Sequence, residues 1–149
     1  MRVLFVCTGN TCRSPMAASV FRRLCDEHGV VANIASAGLA ASDGAPISRN
    51  ARRTLDNAGI AVHCPTSSML TTPLVENSDL IVTMTHGHSH AIHAQYPEAT
   101  EKTAPLLTYA GMQNDVVDPF GGDLDEYQAC LDSMALGLEA LVEELKKTT

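Results

Sequence analysis

Five residues separate Cys7 from Arg13 in the stretch Cys7-Thr8-Gly9-Asn10-Thr11-Cys12-Arg13-Ser14-Pro15, and the stretch joins two different periodicities. Before it runs the continuous apolar segment Val3-Leu4-Phe5-Val6; after it, apolar residues recur at helical spacing. A chain with this pattern places a thiol at the end of a buried strand and a guanidinium just ahead of a helix, with a glycine-bearing loop between. The loop holds no proline, so every backbone N–H from Thr8 to Arg13 is able to point inward. N–H donors gathered at a helix N-terminus attract an anion and favour a thiolate. A fixed guanidinium grips two oxygens at once. The loop therefore reads as a nucleophile, Cys7, held beneath a phosphoryl group whose oxygens face Arg13 and the backbone of Thr8, Gly9, Asn10, Thr11 and Cys12. Gly9 is expected to take the unusual backbone angles, and Asn10 to tolerate αL and tie the loop together with its side chain. Ser14 has two readings: a donor to the Cys7 thiolate, or the N-cap of a helix whose first residue is Pro15.

Strand and helix patterns alternate along the chain. Strands are expected over 2–7, 32–36, 80–84 and 103–107. Helices are expected over 14–28, where Met16, Ala17, Val20, Phe21 and Leu24 share a face and Gly29 ends the run, and from Pro46 to Gly59 along Ile47, Ala51, Leu55 and Ala58. A short helix opens at Thr72-Pro73, a histidine-bearing one covers 86–95, and a last one covers 123–147 with Leu124, Leu131, Ala135, Leu138, Val142 and Leu145 inward. Ser36-Ala37-Gly38 and 108–122 read as loops. This alternation predicts an α/β domain over 1–149 with a four-stranded parallel sheet, in which ligands bind beyond the carboxyl ends of strands.

Composition narrows the function. Hydrophobic residues are 45% of the chain, enough for one core and too few for a membrane protein. The N-terminal apolar run is too short for a signal peptide or a membrane span, so a cytoplasmic location is the default expectation. A net charge of −7 argues against nucleic acid as a partner and makes any anion site a local device. Five scattered cysteines, Cys7, Cys12, Cys25, Cys64 and Cys130, form no disulfide framework and no zinc spacing. Cys25 and Cys130 fall on apolar helix faces and read as small buried side chains.

Hydrolysis by a cysteine needs a proton for the departing group. Asp118, in Asp115-Val116-Val117-Asp118-Pro119-Phe120-Gly121-Gly122, is the candidate. The following proline biases it toward an extended conformation, and Phe120 is placed to wall the site and desolvate it. Asp115 reads as a plain surface residue. His86, His88, His90 and His93 lack a nearby carboxylate or cysteine in sequence to complete a metal set and read as solvated or helix-capping residues; no metal and no cofactor are expected.

The chain resembles the low-molecular-weight protein-tyrosine-phosphatase family over essentially its full length. The Cys7–Pro15 loop, Ser36-Ala37-Gly38, the Asp79–Thr85 strand, Asp118-Pro119 and the closing helix match in order. Within the family it most resembles the bacterial protein-arginine phosphatases, through Thr11, the Met84-Thr85-His86 turn and Asp-Pro-Phe-Gly-Gly at 118–122. The resemblance implies the family fold, with helices on both faces of the sheet, and catalytic residues Cys7, Arg13 and Asp118. It implies hydrolysis of the P–N bond of phosphoarginine in proteins through a cysteinyl-phosphate, with phosphate released and no membrane or nucleic-acid partner; a monomer is expected. It further implies that Thr11 makes the pocket polar and narrow, that Asp118 pairs with the guanidinium as well as protonating it, that Phe120 stacks on its plane, and that Cys12 is a reversible disulfide partner of Cys7. A plainer reading leaves Thr11 satisfying local backbone groups and Cys12 packing beneath the loop. The rivals are a tyrosine phosphatase of the same fold, a thioredoxin-linked arsenate reductase, which would need a cysteine pair where 78–92 has histidines, and a non-enzymatic anion-binding module.

Overall fold

The computed structural model describes residues 1–148; Thr149, the last residue of the expected domain, lies outside them. Four parallel strands, β1 (Arg2–Cys7), β2 (Asn33–Gly38), β3 (Leu80–Thr83) and β4 (Thr103–Pro105), lie in the order β2-β1-β3-β4. Val3 pairs with Ile34 on one side and Leu80 on the other, Val6 with Ala37 and Thr83. The strand order reverses at β1, so the loops after β1 and β3 open side by side at the crevice where parallel sheets take ligands.

β1 is buried on both faces, which is why it reads as an unbroken apolar run. Val3, Phe5 and Cys7 join one core with α1 (Arg13–His28), α2 (Arg49–Asn57) and α5 (Leu124–Lys147), and the Phe5 and Phe21 rings meet edge to face at 5.4 Å. Leu4 and Val6 join a second core with Val75 of α3 (Thr72–Asn77), Ile81 and Ile92 of α4 (His86–Gln95). The helices thus cover both faces, as the resemblance implied. Among the described residues no helix is long and apolar enough to cross a membrane.

Several boundaries differ from the sequence expectation for identifiable reasons. Ser36-Ala37-Gly38 is not a loop but the end of β2, paired with Phe5, Val6 and Cys7. Gly38 looked like a strand breaker; a Cβ there would lie 2.5 Å from Thr8 O and 3.0 Å from Asn10 N, so it is a point of close backbone approach. α2 begins at Arg49, because the Ser48 hydroxyl caps it by accepting from Ala51 N–H, while Pro46 pairs with Thr66 in an isolated bridge. Ala58 lies exposed beyond that helix. β4 stops at Pro105, and Leu106–Ala110 turns as a 3₁₀ helix beneath α5. Along α5, Leu131, Leu138, Val142 and Leu145 are buried as expected, Leu124 and Ala135 are only half buried, and Tyr127, Cys130, Met134 and Leu141 complete the inward stripe.

Candidate active site

Residues 8–12 leave β1 and turn over into α1, which starts at Arg13, ahead of the expected position. No side chain caps that helix, so the N–H groups of its first turn are left for whatever lies in the loop. Ser14 is consequently inside the helix, not its cap. Its Oγ sits 2.9 Å from Cys7 Sγ, the sulfur contact of the other reading, and the Asn10 N–H reaches the same sulfur at 3.2 Å.

Asn10 holds this arrangement. It is fully buried and is the one non-glycine with positive φ, +56°, among the described residues, as its tolerance of αL allows, whereas Gly9 is not among the positive-φ glycines. Its Oδ1 accepts from Ser68 N–H at 2.8 Å, which fixes the amide orientation. Its Nδ2 then donates to Ser14 Oγ at 2.7 Å and to Ser36 Oγ at 2.9 Å. Ser14 Oγ accepts from Asn10 through one lone pair, and its own proton is free to point at the Cys7 sulfur whenever that sulfur carries none. Leu39 and Ala40 clamp the loop from the β2 side by donating to Cys7 O and Thr8 O at 3.0 and 2.9 Å.

Arg13 is 6% exposed, and its Nη1 donates to Val116 O at 3.0 Å. Val116 N–H in turn donates to Met84 O at 2.9 Å, so the start of the acidic loop is sewn to both β1's helix and the end of β3. Asp118 Oδ2 lies 3.7 Å from Arg13 Nη2. Cys7, Thr8, Gly9, Asn10, Thr11, Cys12, Arg13, Asp118 and Phe120 together line a cavity of about 220 Å³. The nine expected residues, spread between positions 7 and 120, are brought to one hollow, and Ser14 lies beneath it. A larger hollow, about 500 Å³, opens at the opposite end of β1 and β2 against Arg2, Asn33 and Leu74, with no cysteine in its lining.

Two expectations for the acid loop fail. Phe120 lines the cavity yet is 74% exposed, and the Asp118 side chain is 52% exposed, so no desolvating wall surrounds the carboxyl. Instead its Oδ1 accepts from Phe120 N–H at 3.0 Å. Asp115 is not a plain surface residue. The His86 backbone N–H and ring Nδ1 both meet its Oδ1 at 2.8 Å, and these bonds hold its carboxyl below the usual range. Asp115 thereby ties the acidic loop to the start of α4.

The thiols sort by environment. Burial pushes Cys25 up to about 11 and Cys130 to about 12, as inert packing residues require. Cys12 is buried and its Sγ contacts Tyr127 OH at 3.2 Å and Ser48 Oγ at 3.5 Å, with Ser48 Oγ 3.3 Å from Tyr127 OH. Thr11 is half buried, its carbonyl accepts from Ser48 N–H, and its hydroxyl bonds no backbone group among the described residues, having only a 3.8 Å contact to Cys12 Sγ. The plain reading of the Thr11 side chain as a backbone satisfier is thus not what the geometry supports.

The histidines are separate residues with separate partners. His93 Nε2 reaches Thr103 O at 3.3 Å, and His88 Nε2 lies 2.9 Å from Thr8 Oγ1. His88, expected to be solvated or helix-capping, is instead buried, because a side chain in the first turn after β3 faces the loop after β1 in this strand order. Burial, then the Arg13 charge, holds His88 down at about 4, against the opposite pull of Asp115 and Asp118. The partners of Asn10 and of Cys12 were likewise invisible: Ser36, Ser68 and Tyr127 are far away in sequence.

Chemically, the hollow offers a sulfur with two hydrogen-bond donors, a buried guanidinium, uncapped helix N–H groups and an exposed carboxyl at its mouth. Comparison with known proteins is consistent with these features. A family model described as low molecular weight phosphotyrosine protein phosphatase matches residues 2–149. The chain is 40% identical over 148 residues to a protein-arginine-phosphatase of Bacillus subtilis, covering 99% of this chain and 98% of that one. It is 36% identical over 134 residues to the low molecular weight protein-tyrosine-phosphatase PtpB of Staphylococcus haemolyticus, covering 90% and 92%. Among solved structures, the arginine phosphatase YwlE in a Cys-to-Ser variant with a phosphorylated active-site serine superposes with a TM-score of 0.93 at 40% identity, covering 99% and 97%.

Proposed function

The chain belongs to the low molecular weight phosphotyrosine protein phosphatase family, and from that premise we infer that it is a cysteine-dependent protein-arginine phosphatase. The observation that carries the chemistry is the Cys7 sulfur held by Ser14 Oγ and Asn10 N–H at the floor of a cavity with Arg13 and Asp118 in its wall. Cys7 sulfur attacks phosphorus and forms the S–P bond as the P–N bond breaks. The departing guanidine nitrogen keeps the electron pair and takes the Asp118 proton. Water then attacks phosphorus, the Asp118 carboxylate takes its proton, and the S–P bond opens to return the thiolate. Ser14 and Asn10 stabilise sulfur as it leaves. Arg13, anchored through one Nη to Val116 O, presents its remaining edge to two phosphoryl oxygens, and the backbone of residues 8–12 serves the rest.

Thr11 sets the choice of leaving group. Its hydroxyl is unspent on the backbone, which suits the polar N–H edge of a phosphoguanidinium better than a phenyl ring. Asp118 is half exposed at the mouth, where it can also pair with the cationic group, and Phe120 offers a free ring face. Cys12 is the redox partner of Cys7: both are free thiols in one loop, and peroxide oxidation of Cys7 to a sulfenic acid lets the Cys12 sulfur displace water and close a disulfide.

The deciding experiment compares phosphate release from a protein phosphorylated on arginine with release from one phosphorylated on tyrosine. Arginine should be preferred, and Thr11→Ile should shift the ratio toward tyrosine. Preference of the unaltered chain for phosphotyrosine would assign it to the other branch of the family.

A further inference from the structure

His88 faces the site from outside the loop and is used by none of the steps above. It is 7% exposed, in the first turn of α4, where its backbone N–H is capped by Thr85 Oγ1 at 3.0 Å. The start of that helix is pinned by the two bonds from His86 to Asp115. The imidazole therefore has little freedom, and among the described residues its one side-chain partner is Thr8 Oγ1 at 2.9 Å. Thr8 follows the nucleophile, lines the cavity and has its carbonyl fixed by Ala40 N–H. On the other side of the ring, His88 Nδ1 is buried and has no partner among the described residues.

The two ring nitrogens decide where the protons go. A neutral imidazole carries one N–H. Were it on Nδ1, a buried donor would lie without an acceptor, and Thr8 would have to spend its hydroxyl proton on Nε2. With the proton on Nε2, the bond to Thr8 Oγ1 is made by the ring, only a lone pair is left bare, and the Thr8 proton is released for another acceptor. Thr8 lines the cavity, so the group the loop binds is the acceptor within its reach.

We infer that His88 is a positioning residue for this reaction: its Nε2–H holds the Thr8 hydroxyl so that Thr8 donates to an oxygen of the phosphoryl group bound in the loop. This rests on the loop being a phosphoryl cradle. It adds a side-chain donor at the cavity mouth to the backbone donors and Arg13, and it gives α4 a part in substrate binding.

The test measures the inhibition constant of inorganic phosphate, together with kcat and KM on an arginine-phosphorylated protein. Thr8→Val and His88→Ala should each weaken phosphate roughly 10-fold, the amount expected for one hydrogen bond to a charged group. Each should lower kcat/KM by at least as much. The double variant should be no worse than the poorer single variant, because one bond is lost in all three. His88→Gln, which keeps an amide N–H at similar reach, and Thr8→Ser should both recover most of the phosphate affinity. Losses that multiply in the double variant, or a folded His88→Gln no better than His88→Ala, would assign His88 to packing alone. If His88→Ala does not fold, Thr8→Val and His88→Gln decide the matter, and an unmoved phosphate constant in Thr8→Val overturns the inference while leaving the phosphatase reading intact. A wild-type protein that neither binds phosphate nor releases it from either substrate removes that reading, and the role of His88 with it.

Discussion

At Asn10, backbone and side chain do separable things. The backbone sits at φ +56°, and the amide makes three hydrogen bonds, buried ones to Ser14 and Ser36 and a half-buried one from Ser68 N–H. Asn10→Gly keeps the conformation and loses the bonds, at about 1 kcal/mol each and about 3 in all. Asn10→Ala adds the αL penalty of about 1 kcal/mol or more. Urea unfolding should rank wild type above Gly and Gly above Ala; equal stabilities would show that neither the turn nor the network matters. His88 gives a pH signature. Its pKa is about 4 in the folded chain against 6.5 ordinarily, set by burial and Arg13 and opposed by Asp115 and Asp118. Between those values the unfolded chain binds more protons, so stability must rise with pH through that window and fall as pH drops below 6.5. The loss from pH 7 to pH 4 is on the order of 3 kcal/mol. His88→Gln should flatten that part of the stability curve, and an unchanged slope would mean that the imidazole is not held neutral. The thiols also divide at this scale: after mild peroxide, wild type should regain activity with a dithiol, whereas Cys12→Ala should recover poorly. Full recovery in that variant would make Cys12 a packing residue.

The elements explain which features could be seen from sequence. Strand β1 and helices α1 and α5 carry long apolar patterns and clear end signals, so their existence and their roles in the core followed from periodicity. Short elements did not. The end of β2 was hidden by Gly38, which is small because Thr8 O and Asn10 N crowd it, not because the chain bends there. Pro46 suggested a helix start, but Ser48, two residues on, had the side chain that satisfies a free N–H. Leu106 and Leu107 are as apolar as a strand yet lie in a 3₁₀ turn, a distinction that rests on α5 packing over them. The contrast between two glycines tests this account. Gly38→Ala forces a Cβ to within 2.5 Å of Thr8 O, against backbone that cannot swing away, and should cost about 1–3 kcal/mol and displace the loop, with kcat/KM reduced more than about tenfold. Gly9→Ala meets only Thr11 Oγ1 at 3.8 Å and should melt close to wild type. Equal melting of the two would refute the close-approach argument.

Across the whole molecule, the candidate nucleophile and Arg13 were legible because they sit together in one short motif, and Asp118 because hydrolysis demanded an acid. Their supports were not, because Ser36, Ser68, Val116 and Tyr127 have no local mark and acquire their parts only through tertiary contact. Arg13 is the clearest case: its orientation depends on the carbonyl of Val116, 103 residues further along. A chain cut after Ala110 keeps Cys7 and Arg13 but should release no phosphate in the same assay; measurable turnover by it would show that the far segment is dispensable. The same bond has a bearing on how the protein is made. On the ribosome, the residues that aim the arginine of the motif are added over a hundred codons after it, and a parallel sheet closes late in folding. The nascent chain therefore carries a phosphatase motif that stays idle until that later segment has been made, and neighbouring phosphoproteins are safe from a half-built catalyst.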